Sequence, residues 1–498
     1  MIEGVDAARA ALAAGRPALL WQRQLADTET PVAAALKLFE PGRGDFVLES
    51  VEGGAVRGRH SLIGLAPDLV FRATGAAASV NREWLTNRDA FRPCEVDSLA
   101  ALRDLVAACR ADVPPALPRA LACLVGYFGY ETIGLVEKLP EPSVRAIDIP
   151  DMLFVRPTVL LVFDRLADAL FIVAPAWPEG GVVAVDRACE AIEATAARLA
   201  AAPLPAPARS DAADPIFTPV LAPGRYGEMV AAAKEYIAAG DIFQVVLAQR
   251  FTAPFPLPPI ELYRALRRIN PSPFLYHLDL PGFALTGSSP EILVRVRDGE
   301  VTIRPIAGTR PRGVDAAADA ANRESLLADA KERAEHLMLL DLGRNDVGRV
   351  ASAGSVRVTD SYAVEFYSHV MHIVSNVVGR LHPDRDAVDA LFAGFPAGTV
   401  SGAPKVRACQ IIAELEPEAR GAYAGGVGYF SPDGSMDSCI VLRTAIVKDG
   451  VMHVQAGAGI VADSDPAYEQ RECEAKSSAL LAAAREAVAR AKAGRFGQ

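Results

Sequence analysis

The sequence lacks the features that mark secreted, membrane-spanning and nucleic-acid-binding proteins. Its seven cysteines are odd in number and form no C-x-x-C pair, which argues against a disulfide framework and for a reducing, cytoplasmic compartment. Because no apolar run approaches about 18 residues, we predict no membrane span. The amino terminus has acidic residues ahead of its short apolar run, unlike a signal peptide. A formal net charge of -10 without a long basic block disfavours nucleic acid as a partner.

The chain does contain enough apolar material for large cores. It has 498 residues, of which 51% are hydrophobic, and a chain of this length is expected to form two to three domains. Residues 1–200 mix helix and strand patterns, which predicts an N-terminal α+β region with a structural or regulatory role. Residues 201–224 are rich in proline, alanine and small polar residues and are the predicted linker. Residues 225–498 contain the polar motifs and form the predicted functional region.

The segment Val451–Lys476 predicts a strand, a glycine loop and a helix. Apolar and polar residues alternate at its start, glycines follow, and an Asp-Pro pair is typical of an N-cap and a first helical residue. Gly457, Gly459 and Ala462 match the dinucleotide-binding pattern G-x-G-x-x-A, which requires a second strand after the helix. The chain continues instead as an alanine-rich helix, so a nicotinamide site is disfavoured.

Two predicted helices carry glutamates at the same spacing. Glu332 and Glu335 are three residues apart, as are Glu469 and Glu472, and residues at this spacing share one helix face. If the two pairs face each other, they surround a divalent ion with oxygen, and Mg²⁺ takes carboxylate ligands together with water and substrate. The alternative is two solvated charged faces, with Glu472 and Lys476 as an i,i+4 ion pair. The helices by themselves leave both interpretations open.

Two further features favour an anionic ligand. The stretch 395–405, FPAGTVSGAPK, is similar to a phosphate loop. However, Ala403 and Pro404 intervene before Lys405 and no hydroxyl residue follows it, so we reject an NTPase and retain a polar lining for an anion. Arg443 is a single cation in the apolar run IVLRTAIV, which predicts a strand. A buried guanidinium requires a carboxylate, either from the protein or from a ligand.

Together the motifs resemble those of the chorismate-utilising enzymes, and within that family those of anthranilate synthase component I. The resemblance covers residues 225–480 and extends weakly into the first half. It implies an α+β fold, a four-layer α/β/β/α sandwich of two antiparallel-rich sheets. It also implies amination of chorismate by ammonia with loss of pyruvate, giving anthranilate as the first step of tryptophan synthesis. The motifs that carry it are PIAGTRPRG, ERAEHLMLLDLGRND, FPAGTVSGAPK, RGAYAGGVGYF and VQAGAGIVADSDPAYEQRE.

The resemblance further implies a metal site and a general acid. Glu335 and Glu472 match ligands of a magnesium cofactor, and Glu332 and Glu469 would support them through water. Glu291 matches the general acid that helps the C4 hydroxyl of chorismate to leave. A departing hydroxide needs a proton, and a carboxyl group in a partly apolar site holds one near neutral pH.

Other matched positions surround the substrate. His372 and Thr399 match residues near the ring, and the histidine is a candidate for the later elimination step. The positions implied to hold chorismate are Gly308, Thr309, Tyr423, Arg443, Gly457, Ala458, Gly459 and Lys476. Chorismate carries two carboxylates, one suited to the metal and the other to arginine and loop amides.

Two positions distinguish between members of the family. Isochorismate-forming relatives carry a lysine base that activates water, whereas this sequence has Gln244, so water is not the expected nucleophile. Aminodeoxychorismate synthases carry lysine in the stretch that here reads Pro305–Thr309. Ala307 offers no amine for a covalent adduct, which favours anthranilate synthase. Aminodeoxychorismate synthase component I, of the folate pathway, is the alternative.

The partners follow from the same resemblance. None of the cysteines stands on the glycine-flanked elbow that a glutamine amidotransferase needs. A separate glutaminase subunit is therefore implied, in a heterodimer or a heterotetramer made of two heterodimers. A catalytically silent relative that only binds tryptophan is a further alternative, which the intact glutamates disfavour. Feedback inhibition by tryptophan is implied at the Leu48–Ser50 and Asn270–Pro273 motifs, with Ser50, Pro271, Ser272 and Pro273 as the site residues.

Overall fold

The computed structural model describes residues 1–52, 56–140, 144–181, 183–206, 208–367 and 370–493. Antiparallel strands build two large sheets in this part of the chain. The strands, numbered in chain order, are β1 Ala18–Leu25, β2 Asp45–Glu49, β3 Val51–Glu52, β4 Val56–Arg57, β5 His60–Leu65, β6 Leu69–Thr74, β7 Ala77–Asn81, β8 Arg92–Pro93, β9 Leu124–Phe128, β10 Met152–Arg156, β11 Val159–Asp164, β12 Ala169–Ala176, β13 Thr218–Pro219, β14 Gln244–Pro254, β15 Phe274–Leu280, β16 Phe283–Ser289, β17 Ile292–Arg297, β18 Glu300–Ile303, β19 Ile306–Pro311, β20 Arg357–Phe366, β21 Val370–Arg380, β22 Gly402–Ala403, β23 Gly426–Phe430, β24 Met436–Ile440, β25 Thr444–Lys448 and β26 Val451–Ile460.

Side chains at the helix ends explain where the long helices begin. The Asp329 carboxylate accepts hydrogen bonds from the amides of Lys331 and Glu332, and Asp465 accepts one from the Tyr468 amide at 2.8 Å, so both are N-caps. In the described residues no helix has the length and apolarity needed to cross a membrane. The helices are α1 Val5–Ala13, α2 Pro31–Leu38, α3 Ser98–Ala108, α4 Val183–Ala201, α5 Arg225–Ala238, α6 Pro259–Ile269, α7 Ala316–Ala328, α8 Ala330–Gly348, α9 Ala387–Gly394, α10 Lys405–Leu415 and α11 Pro466–Ala493.

The two sheets pack face to face with helices on their outer sides. The first sheet has the order β1-β12-β11-β5-β2-β15-β16-β25-β26-β14-β13, and the second has the order β19-β21-β18-β17-β24-β23-β9-β10-β6-β7-β8. Between them, Phe46 and Leu160 of the first sheet pack in one core with Val125 and Val155 of the second. Helices α4 and α11 lie on the first sheet, and α3 and α8 lie on the second. The expected four-layer α/β/β/α sandwich is confirmed.

Both regions of the sequence contribute strands to each sheet. In the first sheet β2 pairs with β15, with Leu48 opposite Tyr276. In the second sheet β9 pairs with β23, with Gly126 opposite Gly428. Residues 201–224 therefore separate two stretches of sequence whose side chains pack in the same hydrophobic cores. The roles expected for the two regions stay predictions.

Two local predictions differ from the structure. The run IVLRTAIV is not one strand, because β24 ends at Ile440 in the second sheet and β25 begins at Thr444 in the first. Arg443 lies at this crossing with φ 48°. The expected glycine loop is also absent, since Gly457 and Gly459 lie inside β26 and pair with β14. Glycine is needed there for close approach, because a Cβ atom on Gly457 would lie 2.8 Å from Tyr423 Oη.

Candidate active site

A protonatable carboxyl group lies at the start of β17. Glu291 is 8% exposed, and burial raises its pKa to about 8. Thr399, which follows α9, donates a hydrogen bond from Oγ1 to Glu291 Oε1 at 3.0 Å. This bond and the charge of Arg443 both lower the pKa, but burial has the larger effect. At neutral pH Glu291 is therefore mainly protonated and can donate a proton.

Arg443 provides a positive charge close to this carboxyl group. Burial lowers the pKa of Arg443, while Glu291 and Tyr367 act in the opposite direction. Among the described residues, no carboxylate lies within ion-pair distance of the Arg443 guanidinium. A guanidinium in this position can bind a carboxylate of a ligand in a bidentate manner.

His372 on β21 lies beside the end of β19. Its Nδ1 atom is 2.9 Å from the Gly308 carbonyl oxygen and 3.1 Å from Thr309 Oγ1. The Tyr367 ring meets the imidazole edge-on, with 5.4 Å between the centroids. Burial lowers the pKa of His372, with the Gly308 carbonyl acting in the opposite direction. The imidazole is therefore neutral at pH 7 and has a lone pair available for proton transfer.

Glutamates of the two Glu-x-x-Glu helices, α8 and α11, lie within electrostatic reach of one another. Burial raises the pKa of Glu335, and the nearby carboxylates of Glu332 and Glu472 raise it further. Burial likewise raises the pKa of Glu469, to which Glu472 also contributes. The sequence alone left open whether these glutamates approach one another, and Glu472 is close enough to act on the pKa of Glu335.

A metal ion has been expected between these glutamates. In the described part of the chain, no group of three His, Cys, Asp or Glu side chains is close enough to hold one by itself. Glu332 is also engaged, since Arg310 Nη1 lies 3.0 Å from its Oε1. Glu472 is likewise paired, since Lys476 Nζ lies 2.6 Å from its Oε1. Glu335 and Glu472 still offer two carboxylates with four oxygens, and Mg²⁺ commonly uses one or two carboxylates and leaves its other positions to water and substrate. The donor chemistry therefore fits Mg²⁺ with Glu335 and Glu472 as protein ligands.

Lys476 connects α11 with β26. Lys476 Nζ is 2.6 Å from Glu472 Oε1 and donates a hydrogen bond to the Gly457 carbonyl oxygen at 2.9 Å. The faces of a strand alternate, so Gly457 and Gly459 face the side of Tyr423, whereas Ala458 is packed in the apolar core. Ala458 can thus contribute only its backbone to the site.

Comparisons with known proteins agree with this geometry. The profile of a family described as chorismate binding enzyme matches residues 56–482. This chain belongs to the chorismate-binding enzyme family. Anthranilate synthase component 1 of Cereibacter sphaeroides is 50% identical over 95% of the chain and 96% of the relative. The protein of the same name from Pseudomonas putida is 46% identical over 92% of the chain and 93% of the relative.

Two solved structures share the fold. The crystal structure of anthranilate synthase component I from Streptococcus pneumoniae TIGR4 has a TM-score of 0.77 at 34% identity, covering 92% of this chain and 99% of that one. The menaquinone-specific isochorismate synthase of Escherichia coli has a TM-score of 0.69 at 20% identity, covering 97% of this chain and 100% of that one. The second likeness concerns the fold alone. The predicted family membership is confirmed.

A second cavity of about 600 Å³ lies between the sheets of this chorismate-binding family member. Ser50 and Pro273, two of the residues expected to bind tryptophan, line it. Ser272 does not line it, because its hydroxyl is buried and donates a hydrogen bond to the Ser289 carbonyl oxygen at 2.6 Å. Pro271 is also outside the lining. Pro290 lies in the wall of this cavity and directly precedes Glu291 in the sequence.

The sequence did not reveal the buried residue that holds the loop of Thr399 in place. Arg420 is 1% exposed and binds the Glu416 carboxylate with two nitrogens. It also donates hydrogen bonds to the carbonyl oxygens of Val400 and Val246, both at 2.7 Å, and so fixes the loop of Thr399 against β14. Its position in the motif RGAYAGGVGYF was the available signal. Nothing in the sequence indicated which carbonyl groups it would meet.

Proposed function

We propose that the chain is the large component of an anthranilate synthase. The reaction is chorismate plus ammonia to anthranilate, pyruvate and water. The observation that carries the proposal is the Arg443 guanidinium, which has no carboxylate partner among the described residues and lies within electrostatic reach of Glu291. A dicarboxylate substrate provides the missing partner, and Glu291 provides a proton for its departing hydroxyl group. The relatives with the name anthranilate synthase component 1 support the same reaction.

The side chains divide the chemistry between them. Arg443 binds one carboxylate of chorismate and orients the ring. Glu291 protonates the C4 hydroxyl as it leaves, while the hydrogen bond from Thr399 holds the carboxyl group in place. His372 then removes a proton from the ring during the loss of pyruvate. Glu291 must be protonated to donate a proton, and His372 must be neutral to accept one. Burial favours both of these states near neutral pH.

Magnesium is the proposed cofactor. Glu335 and Glu472 hold it, with Glu332 and Glu469 in supporting positions. When bound, the cation neutralises the second carboxylate of chorismate and the facing glutamates. Burial raises the pKa of Glu335, and the like charges of Glu332 and Glu472 add to this effect. The nearness of these carboxylates supports a site for a cation.

We propose that ammonia rather than water is the nucleophile, because Gln244 lies where a base would be needed to activate water. This residue is 6% exposed, and its Oε1 atom has no hydrogen-bond partner among the described residues. An amide cannot deprotonate water, but its oxygen can accept a hydrogen bond from ammonia. The ammonia comes from a separate glutaminase subunit, in a heterodimer or heterotetramer located in the cytoplasm.

Analysis of the product tests the proposal. The chain is supplied with chorismate, a magnesium salt and an ammonium salt, and the products are separated by chromatography with fluorescence detection. We expect anthranilate and pyruvate in equal amounts. Accumulation of 4-amino-4-deoxychorismate favours the alternative, which the alanine at position 307 disfavours. Isochorismate contradicts the argument from Gln244, and no turnover at all favours a silent relative.

Tryptophan is the proposed feedback inhibitor and the cavity lined by Ser50 and Pro273 its site. The cavity has apolar walls with polar groups at Ser50, Arg295 and Asp437, which suits an amino acid with a large ring. Calorimetry with L-tryptophan measures binding directly. Ser50→Leu fills the space beside the ligand and is expected to weaken binding at least about tenfold, equivalent to about 1.4 kcal/mol. Unchanged binding to this variant excludes the site.

A further inference from the structure

We propose that the Gly308 carbonyl and the Thr309 hydroxyl are positioning groups for His372. They select the tautomer with the proton on Nδ1 and leave the lone pair of Nε2 free as the base. This is a different role from the substrate contacts that the resemblance implied for the two residues. The tautomer is inferred from the geometry alone. Only the reaction in which Nε2 acts as the base rests on the proposed function.

The backbone geometry is specific for this contact. Ala307 is opposite Ile373 and Thr309 is opposite His372, so Gly308 is an extra residue in β19. It has φ 69°, as expected for a glycine in a β-bulge. A bulge turns one carbonyl out of the regular ladder, and here that carbonyl oxygen lies 2.9 Å from His372 Nδ1.

The tautomer follows from the chemistry of the acceptor. A carbonyl oxygen can only accept a hydrogen bond, so His372 Nδ1 must carry the proton. Thr309 Oγ1, at 3.1 Å from the same nitrogen, is placed as a second acceptor. Because a neutral imidazole has one N–H group, Nε2 then has the free lone pair.

The surroundings of His372 leave Nε2 available. Its neighbours within the sheet are Thr309 on β19 and Glu365 on β20, and Tyr367 packs edge-on against the ring. Arg443 is the facing cation and, with burial, favours the neutral imidazole, whereas Glu365 opposes this. In the described residues no group lies within hydrogen-bond distance of Nε2, so the base is open to a ligand.

Nuclear magnetic resonance of the ¹⁵N-labelled full chain tests the tautomer directly. Two-bond and three-bond correlations from the ring protons show which nitrogen carries hydrogen. The signals of His372 are identified by their loss in His372→Gln, which matters because the chain has 7 histidines. We expect hydrogen on Nδ1 and a lone pair on Nε2 at pH 7 in the unmutated chain. The opposite pattern overturns the inference.

Three variants connect the tautomer with turnover. Gly308→Ala strains the bulge and displaces its carbonyl, Thr309→Val removes the second acceptor, and Thr309→Ser retains it as the matched control. For Gly308→Ala we expect a larger share of the Nε2–H tautomer and a fall in kcat of at least about tenfold. The KM for chorismate is expected to stay within about threefold, because an interaction needed only for proton transfer does not alter ground-state binding. Thr309→Val is expected to show a smaller shift in the same direction.

The outcomes separate the possible roles. A rise in KM with unchanged kcat and an unchanged tautomer assigns the two residues to substrate contact and overturns the inference. If Gly308→Ala does not fold, two measurements still show whether these residues position His372. They are the tautomer of the unmutated chain and the comparison of Thr309→Val with Thr309→Ser. Failure to form anthranilate contradicts the proposed function, whereas an Nε2–H tautomer in an active enzyme contradicts only the inference.

Discussion

Thr399 Oγ1 donates a hydrogen bond to Glu291 Oε1 at 3.0 Å, which links the loop after α9 to the start of β17. A hydroxyl donor stabilises the carboxylate form more than the protonated form, so this bond lowers the pKa of Glu291. Burial acts in the opposite direction and more strongly, which leaves the pKa at about 8. The pair therefore sets the pH range in which Glu291 can act as an acid.

The first prediction concerns the pH dependence of turnover. Since the acid works only when protonated, kcat is expected to decrease as the pH rises through about 8. Thr399→Val removes the lowering effect of the hydroxyl and is expected to move this decrease to higher pH, while Thr399→Ser leaves it in place. Glu291→Gln is expected to lose the decrease and to reduce kcat by about 10²–10⁴. Initial rates measured from pH 6 to 10 check this, and a shift to lower pH in Thr399→Val contradicts it.

The second prediction concerns the facing glutamates. Glu335→Gln and Glu472→Gln are expected to abolish turnover while leaving the circular dichroism spectrum unchanged, because each removes a carboxylate from the proposed magnesium site. Glu474→Gln changes an exposed glutamate on the same helix and serves as the matched control. Binding of Mn²⁺, measured by electron paramagnetic resonance, is expected to weaken about 10-fold or more in the first two variants only. Near-normal rates at limiting magnesium in either of them argue against the ligand roles.

The third prediction concerns Arg443. Arg443→Met is expected to raise the KM for chorismate by at least about tenfold, since a charge-assisted bond to a carboxylate contributes about 1.5–3 kcal/mol. The same change is expected to raise the melting temperature of the free protein, because the guanidinium has no ion-pair partner among the described residues. Steady-state kinetics and thermal unfolding check both effects. A variant that loses stability while keeping its KM shows that Arg443 is a structural residue.

The fourth prediction concerns a buried ion pair behind the site. Lys405 Nζ lies 2.9 Å from Asp346 Oδ2, and both side chains are buried. Asp346→Asn leaves the lysine charge without its partner and is expected to reduce the free energy of unfolding by about 3–5 kcal/mol. The double variant Asp346→Asn with Lys405→Met is expected to recover part of this loss. Urea denaturation of the variants measures it, and equal stability of the single variant and the unmutated chain would refute the prediction.

The sequence predicted the family and the sandwich because several motifs in a fixed order resemble those of the family. Glu332 and Glu335 share a helix face by periodicity alone, and so do Glu469 and Glu472. What the sequence could not predict is where the chain changes sheets. The run around Arg443 is apolar on both sides, and a strand that is buried on both faces has no alternation that would reveal a break.

Close packing produced the other differences. Gly457 and Gly459 suggested a loop because glycine weakens strands, but Tyr423 and Gln244 approach so closely that no side chain fits there. The partners of Arg420 depend on which carbonyl oxygens the tertiary fold leaves unpaired, and local sequence contains no information about them. The role of Gly308 likewise depends on the register of β19 against β21.

The pairing of β2 with β15 and of β9 with β23 restricts how such a chain can change during evolution. A truncation at residues 201–224 removes neighbours from the middle of each sheet and exposes long hydrogen-bonding edges, which promote aggregation. The amino-terminal half therefore cannot be discarded to obtain an enzyme without the second cavity. Insensitivity to an inhibitor bound there has to arise through single substitutions such as those at Ser50, which leave every strand in place.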